Sequence, residues 1–244
     1  MANVLIIQKI IKSRLDALTA TSTSHLPIMS GLASNAVRTT VNVARNIGKL
    51  SPLTTTFLLC DVQERFRDII HNSETMINTS SFLTQTARVL EIPVVATEQY
   101  PKAFGHTVKQ IDVSNVKLFE KKLFSMVTDE VNAHLSTLGR HNYVLYGIET
   151  HVCVQQTALD LLEKGCSVHI VVDGVSSCSA LDRQIALGRM EKAGAYLTTA
   201  QSVVFALLGG AAHPNFKEVS KMIIEHGKKK NEFEEELLGK KSAL

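Results

Sequence analysis

The chain has 244 residues, and Lys plus Arg at 26 against Asp plus Glu at 23 leaves a net charge of only +3, with 45% apolar residues. That is enough apolar surface for one core, so a wholly disordered, collagen-like or low-complexity chain is excluded, and no run of 18 uncharged apolar residues offers a membrane span. The small positive excess gives no nucleic-acid footprint.

Residues 1–50 read as an extension. They hold one acidic residue, Asp16, against six basic ones, are rich in Ser and Thr, and show helical apolar spacing over Val4 to Leu18. This composition fits an organelle transit segment or an arm that packs on the domain. Cys60, Cys153, Cys166 and Cys178 form no CxxC pair, which fits a reducing compartment, cytoplasmic or mitochondrial, better than a disulfide framework or a zinc finger.

From residue 51 to 227 the pattern alternates strand and helix. Strands are expected at Thr55–Cys60, Pro93–Thr97, Val116–Phe119, Tyr143–Gly147, Ser167–Asp173 (followed by a polar loop) and Ala195–Thr199. Helices are expected over Glu74–Leu90, Val127–Leu138, Thr150–Glu163, Asp182–Ala193, Val203–Leu208 and Phe216–Glu225. Short, continuous apolar strands separated by helices predict an α/β fold: a three-layer α/β/α domain around a central, mostly parallel six-stranded sheet. The apolar segment Val203 to Ala212 serves an interface or completes the core, and the charged tail, residues 228–244, reads as solvated or frayed.

In such sheets the chemistry gathers at the carboxyl ends of the strands. Three places there carry reactive side chains. Asp61 ends the first apolar strand, where a carboxylate is costly unless it faces a cleft or is paired. Lys121 and Lys122 follow the third strand. Cys153 falls in the first turn of the helix after strand four, where free N–H groups and the helix dipole favour a thiolate and can hold an oxyanion. A buried structural thiol is the competing reading of Cys153, and Cys166 and Cys178 lack an acid and a base placed by the sheet.

Six ordered stretches then resemble the isochorismatase-like cysteine hydrolases: Leu59-Cys-Asp-Val-Gln-Glu-Arg-Phe66, Thr97-Glu-Gln-Tyr-Pro101, Glu120-Lys-Lys-Leu-Phe-Ser-Met126, Gly147-Ile-Glu-Thr-His-Val-Cys-Val154, Asp173-Gly-Val-Ser-Ser177 and His213-Pro-Asn-Phe-Lys217. They span about Pro52 to Glu225. The resemblance implies a catalytic trio of Asp61, Lys121 and Cys153, with Lys121 chosen over Lys122 by its distance from Ser125. It also implies a cis peptide at Ile148–Glu149, an oxyanion hole from the backbone N–H groups of Glu149 and Cys153, and a homo-oligomer, dimer or tetramer. Phe66, Gln99, Tyr100, Ser125 and His151 are pocket candidates by their nearness to these loops.

The chain departs from the metal-binding nicotinamidases of that family. Their Asp-x-His after strand two corresponds here to Gln99-Tyr100-Pro101, and His106 nearby reads as a solvated loop residue. No metal and no cofactor are therefore expected. The expected function is cysteine-dependent hydrolysis of a small amide, imide or related metabolite, with neither nucleic acid nor membrane as partner. A metabolite-binding or interaction protein that keeps the fold without catalysis is the alternative.

Overall fold

A computed structural model describes residues 47–241. The helical spacing over Val4 to Leu18, the rest of the basic extension before residue 47 and the last three residues lie outside the described part.

The first half of the domain runs β1 (Thr55–Cys60), α1 (Ser73–Val89), β2 (Val94–Gln99), the short α2 (Pro101–Phe104) and β3 (Lys117–Lys121). The second half runs α3 (Asp129–Leu138), β4 (Asn142–Ile148), α4 (Gln155–Glu163), β5 (Ser167–Ser176), α5 (Ala180–Lys192) and β6 (Tyr196–Thr198), and closes with α6 (Ala200–Leu208), α7 (Phe216–Gly227) and α8 (Glu232–Lys241). The strand order is β3-β2-β1-β4-β5-β6 and every pairing is parallel, so the expected sheet is present and wholly parallel.

Alternation along the strands builds two cores. Phe57 and Leu59 join Ala96, Val144 and Tyr146 under α1 and α6. Leu58 and Cys60 turn the other way, with Val95, Leu145 and Ile170, under α3, α4 and α5. The chain winds outward from β1 to β3 and then returns to β4 beside β1. This reversal is the topological switch point, where side chains at the carboxyl ends of two neighbouring strands can border one crevice.

Several boundaries differ from the sequence reading. Lys121 is the last residue of β3 rather than a residue after it, because its backbone pairs with Gln99 of β2. β5 runs on to Ser176 through the expected polar loop, since Val175 and Ser176 pair with Gly147 and Ile148 across a register shift. The helix after β4 opens with one wide π-type turn over Thr150–Val154 before α4. Val203, Val204, Leu207 and Leu208 of α6 are buried and complete the core, while Phe205 and residues 209–212 of the same segment are exposed. The tail contains α8, which is tied to α1 and α5: the Glu232 N–H donates to Thr75 Oγ1 of α1 at 3.1 Å, and the Arg183 guanidinium of α5 lies 4.0 Å from the Phe233 ring centroid. Its charges hid this docking from the sequence. Among the described residues, no helix is long and apolar enough to cross a membrane.

One glycine is essential to the switch point. Gly147 has φ +117°, and a Cβ there would lie 2.1 Å from the Cys60 carbonyl oxygen. Gly188 of α5 has open space around it. Gly147→Ala should therefore destabilise the domain by about 3 kcal/mol or more, while Gly188→Ala should stabilise it by about 0.5–1 kcal/mol. Urea unfolding of both variants checks the pair; equal stabilities would contradict the assigned contact.

Candidate active site

Strand register brings the site together. Cys60 is level with Thr97 of β2 and with Gly147 of β4, and Gln99 is level with Lys121 of β3. Thr97 and Gln99, two apart, point to one side of the sheet. Asp61 leaves β1 at φ 49°, a left-handed conformation that an aspartate tolerates better than most residues. Its N–H still donates to the Thr97 carbonyl at 3.2 Å.

The Asp61 carboxylate is 2% exposed and the Lys121 side chain 0%, with Nζ 2.6 Å from Oδ2. Thr97 Oγ1 donates to the other carboxylate oxygen at 2.7 Å. Lys121 Nζ also meets Gln99 Oε1 at 2.6 Å, the carbonyls of Leu123 and Phe124 at 3.0 and 2.8 Å, and Cys153 Sγ at 3.7 Å. Three N–H protons thus serve four oxygens and a sulfur. Burial on its own would lower the Lys121 pKa; Cys60, Asp61 and Cys153 around it outweigh that and raise it, so the ammonium keeps its charge.

Gln99 is held in turn. Its N–H donates to Gln63 Oε1 at 2.7 Å, Gln63 Nε2 donates back to its carbonyl at 3.0 Å, and its own Nε2 donates to the Lys122 carbonyl at 2.9 Å. Thr157 links the remaining pieces: its hydroxyl donates to the Cys153 carbonyl at 2.6 Å and accepts the Met126 N–H at 2.8 Å. The loop after β3 and the helix carrying Cys153 are therefore one unit.

Cys153 is 7% exposed, and it reaches a cavity of about 160 Å³ lined by Asp61, Phe66, Gln99, Phe104, Phe124, Ile148, Glu149, Val152 and Cys153. The expected residues Asp61, Lys121 and Cys153 are thus together, and Phe66 and Gln99 are on the cavity wall. Tyr100, Ser125 and His151 are off it. Tyr100 turns its ring toward the Lys122 ammonium 5.7 Å away, Ser125 Oγ accepts the Val127 N–H at 3.1 Å, and His151 Nδ1 lies 3.0 Å from Ser177 Oγ. The peptide Ile148–Glu149 is cis. Sequence reasoning missed the apolar wall formed by Phe104, Phe124, Ile148 and Val152, which carries no motif of its own. It also missed Cys60, whose thiol donates to Asp61 Oδ2 at 3.6 Å and is pushed well up by burial and by Cys153 and Asp61.

The loop histidine has a partner as well. His106 Nδ1 is 2.9 Å from the buried Glu98 carboxylate, which also accepts the Thr107 N–H and hydroxyl at 2.6 and 2.8 Å. Burial would raise the Glu98 carboxyl; these hydrogen bonds outweigh it and hold it below its usual range. Two trios of possible metal ligands occur among the described residues, Cys60 with Asp61 and Cys153, and Glu149 with His151 and Cys178.

An all-parallel α/β/α domain with thiol, carboxylate and ammonium gathered beside the cleft of its switch point is a hydrolase fold of the isochorismatase kind. The isochorismatase domain model matches residues 55–202. The chain is 48% identical to isochorismatase domain-containing protein 1 of Salmo salar over 72% of this chain and 63% of that one. It is 46% identical to isochorismatase domain-containing protein 2 of Xenopus laevis over 74% and 89% of the two chains. Among solved structures it is similar to the MAR1 ribonuclease of Caenorhabditis elegans, at 44% identity and a TM-score of 0.69, covering 72% of this chain and 92% of that one. The chain belongs to the isochorismatase family. It spans 63% of the length of the salmon protein and of its Danio rerio counterpart.

The buried pair sets a stability test. Lys121→Met leaves the Asp61 charge without its cation, which should cost about 3–5 kcal/mol. Adding Asp61→Asn to that variant should restore part of the loss, because the stranded charge is gone. Chemical unfolding of the single and double variants measures this, and an unperturbed Lys121→Met would contradict it.

Proposed function

We propose that the chain is a cysteine-dependent hydrolase of a small amide, imide or related metabolite. The observation that carries this reading is the Lys121 ammonium set between the Asp61 carboxylate at 2.6 Å and the Cys153 sulfur at 3.7 Å, at a cavity open to both the acid and the thiol. Asp61 takes the Cys153 proton, and Lys121 steadies the thiolate. The thiolate attacks the substrate carbonyl carbon, and the backbone N–H groups of Glu149 and Cys153 hold the oxyanion. Asp61 returns the proton to the leaving group, then activates the water that frees Cys153.

Cavity size and lining support a small, largely flat substrate. A void of roughly 150 Å³ holds a molecule the size of benzene, close to the cavity volume of about 160 Å³. Phe66, Phe104 and Phe124 offer faces to stack on it. The homo-oligomer implied by the family is carried with this reading.

Ribonuclease activity, the activity in the name of the C. elegans protein, is the second reading. Phosphate binding draws on Lys and Arg, and neither type is among the residues lining the cavity, which disfavours it.

A panel of small amides, imides and one single-stranded RNA, assayed with wild type and Cys153→Ala, tests the proposal. Turnover of an amide or imide that falls by at least about 10³-fold in Cys153→Ala is expected. Undiminished hydrolysis by the alanine variant, or turnover confined to RNA, would contradict it. Absence of any turnover, with a metabolite retained by the purified protein, would favour the binding alternative.

A further inference from the structure

The two trios of ligand-type side chains differ in one respect. Around Cys60, Asp61 and Cys153 the cation is already supplied, because the Lys121 ammonium is bonded to Asp61 and touches Cys153. Glu149, His151 and Cys178 bring a carboxylate oxygen, a ring nitrogen and a sulfur within 4.8 Å of one another. Among the described residues, the ion-pair neighbour of Glu149 is the His151 ring at 4.0 Å, and neither a lysine nor an arginine sits on it.

Topology assembles this trio. Glu149 and His151 belong to the turn that leaves β4, and Cys178 follows β5 by two residues. The two strands are parallel neighbours, so both turns emerge at the same edge of the sheet. The side chains are also oriented. Glu149 Oε2 accepts the Cys178 N–H at 2.8 Å, and the buried Ser177 hydroxyl is 3.0 Å from His151 Nδ1. The Ser177 contact falls on the ring nitrogen that also lies 4.0 Å from Glu149 Oε2, so an ion bound through that nitrogen takes its lone pair in the hydroxyl's place. Glu149 and His151 are half-buried and Cys178 is exposed, which leaves one side of the trio open to water.

We propose that Glu149, His151 and Cys178 form a binding site for a divalent ion of the zinc class, next to the thiol cavity and separate from it. Mixed oxygen, nitrogen and sulfur donors suit zinc or cobalt, whereas magnesium and calcium take oxygen alone. Bonds of about 2.0–2.3 Å to a tetrahedral ion set its donors roughly 3.3–3.8 Å apart, so the trio closes on the ion by about an ångström, and water takes the fourth position. As the metal–sulfur bond forms, the Cys178 thiol gives up its proton to solvent.

Cobalt(II) titration of the full chain, read by the thiolate-to-cobalt charge-transfer band, tests this. Wild type and Cys153→Ala should each bind one equivalent and develop the band, and added zinc should remove it. Cys178→Ser should lack the band, and His151→Asn should bind about 10-fold more weakly or worse. Circular dichroism of each variant checks that it is folded. A wild type without the band, or a band that survives in Cys178→Ser and disappears in Cys153→Ala, would overturn the site. Cobalt binding is read independently of turnover, so its failure and the failure of the hydrolase reading are distinguishable.

Discussion

The ion pair between Lys121 and Asp61 is the constraint on which the rest of this site depends. Both side chains are almost wholly removed from water, and burying two charges costs several kcal/mol each before their attraction is counted. Such a pair persists only where further hydrogen bonds serve the spare protons and lone pairs. Here Gln99, two backbone carbonyls and Thr97 do so. Those partners come from β2 and from the loop after β3, so the register of three parallel strands is committed to one charge pair. An arrangement this costly adds little stability for its size, and in the proposed mechanism its position beside a thiol at the sheet's switch point gives it a chemical use.

The other half of the site depends on close approach of β1 and β4. Gly147 brings its backbone so near the Cys60 carbonyl that no side chain fits, and the chain then turns through Ile148 and Glu149 into the wide first turn that carries Cys153. This turn presents the thiol toward Lys121, and it presents the side chains of Glu149 and His151 toward the end of β5. In the proposed scheme one turn serves two sites. Its backbone and thiol face the substrate cavity, while two of its side chains face the position assigned to a metal ion.

Much of this was legible in the sequence, for identifiable reasons. Thr55–Cys60 and Tyr143–Gly147 are continuous apolar runs, which fixed them as buried strands, and a parallel sheet then placed Asp61, the end of β3 and Cys153 at one edge. The pocket was less legible. Phe66 and Gln99 reach it, but Tyr100, one residue beyond Gln99, is turned away by the alternation of the strand and by its own left-handed φ of 35°. Phe104 and Phe124 come from a short helix and a loop, where periodicity says nothing about direction. Cys178 is far from Glu149 in sequence, so only the pairing of β4 with β5 reveals their contact. α8 was concealed because its residues are mostly charged; it is held by the Phe233 ring against His71 and Arg183 and by polar contacts such as that of the Glu232 N–H with Thr75.

In the proposed mechanism Cys153 is the nucleophile because Lys121 and Asp61 stand beside it, whereas accessibility alone favours other thiols. Cys153 is 7% exposed, whereas Cys178 is exposed and Cys166 intermediate. The direct measurement is the rate at which each cysteine is alkylated by a limiting amount of iodoacetamide near neutral pH, resolved by peptide mapping. Cys153 should be modified first, and Lys121→Met should abolish its lead. Modification in the order of exposure, Cys178 before Cys153, would contradict it.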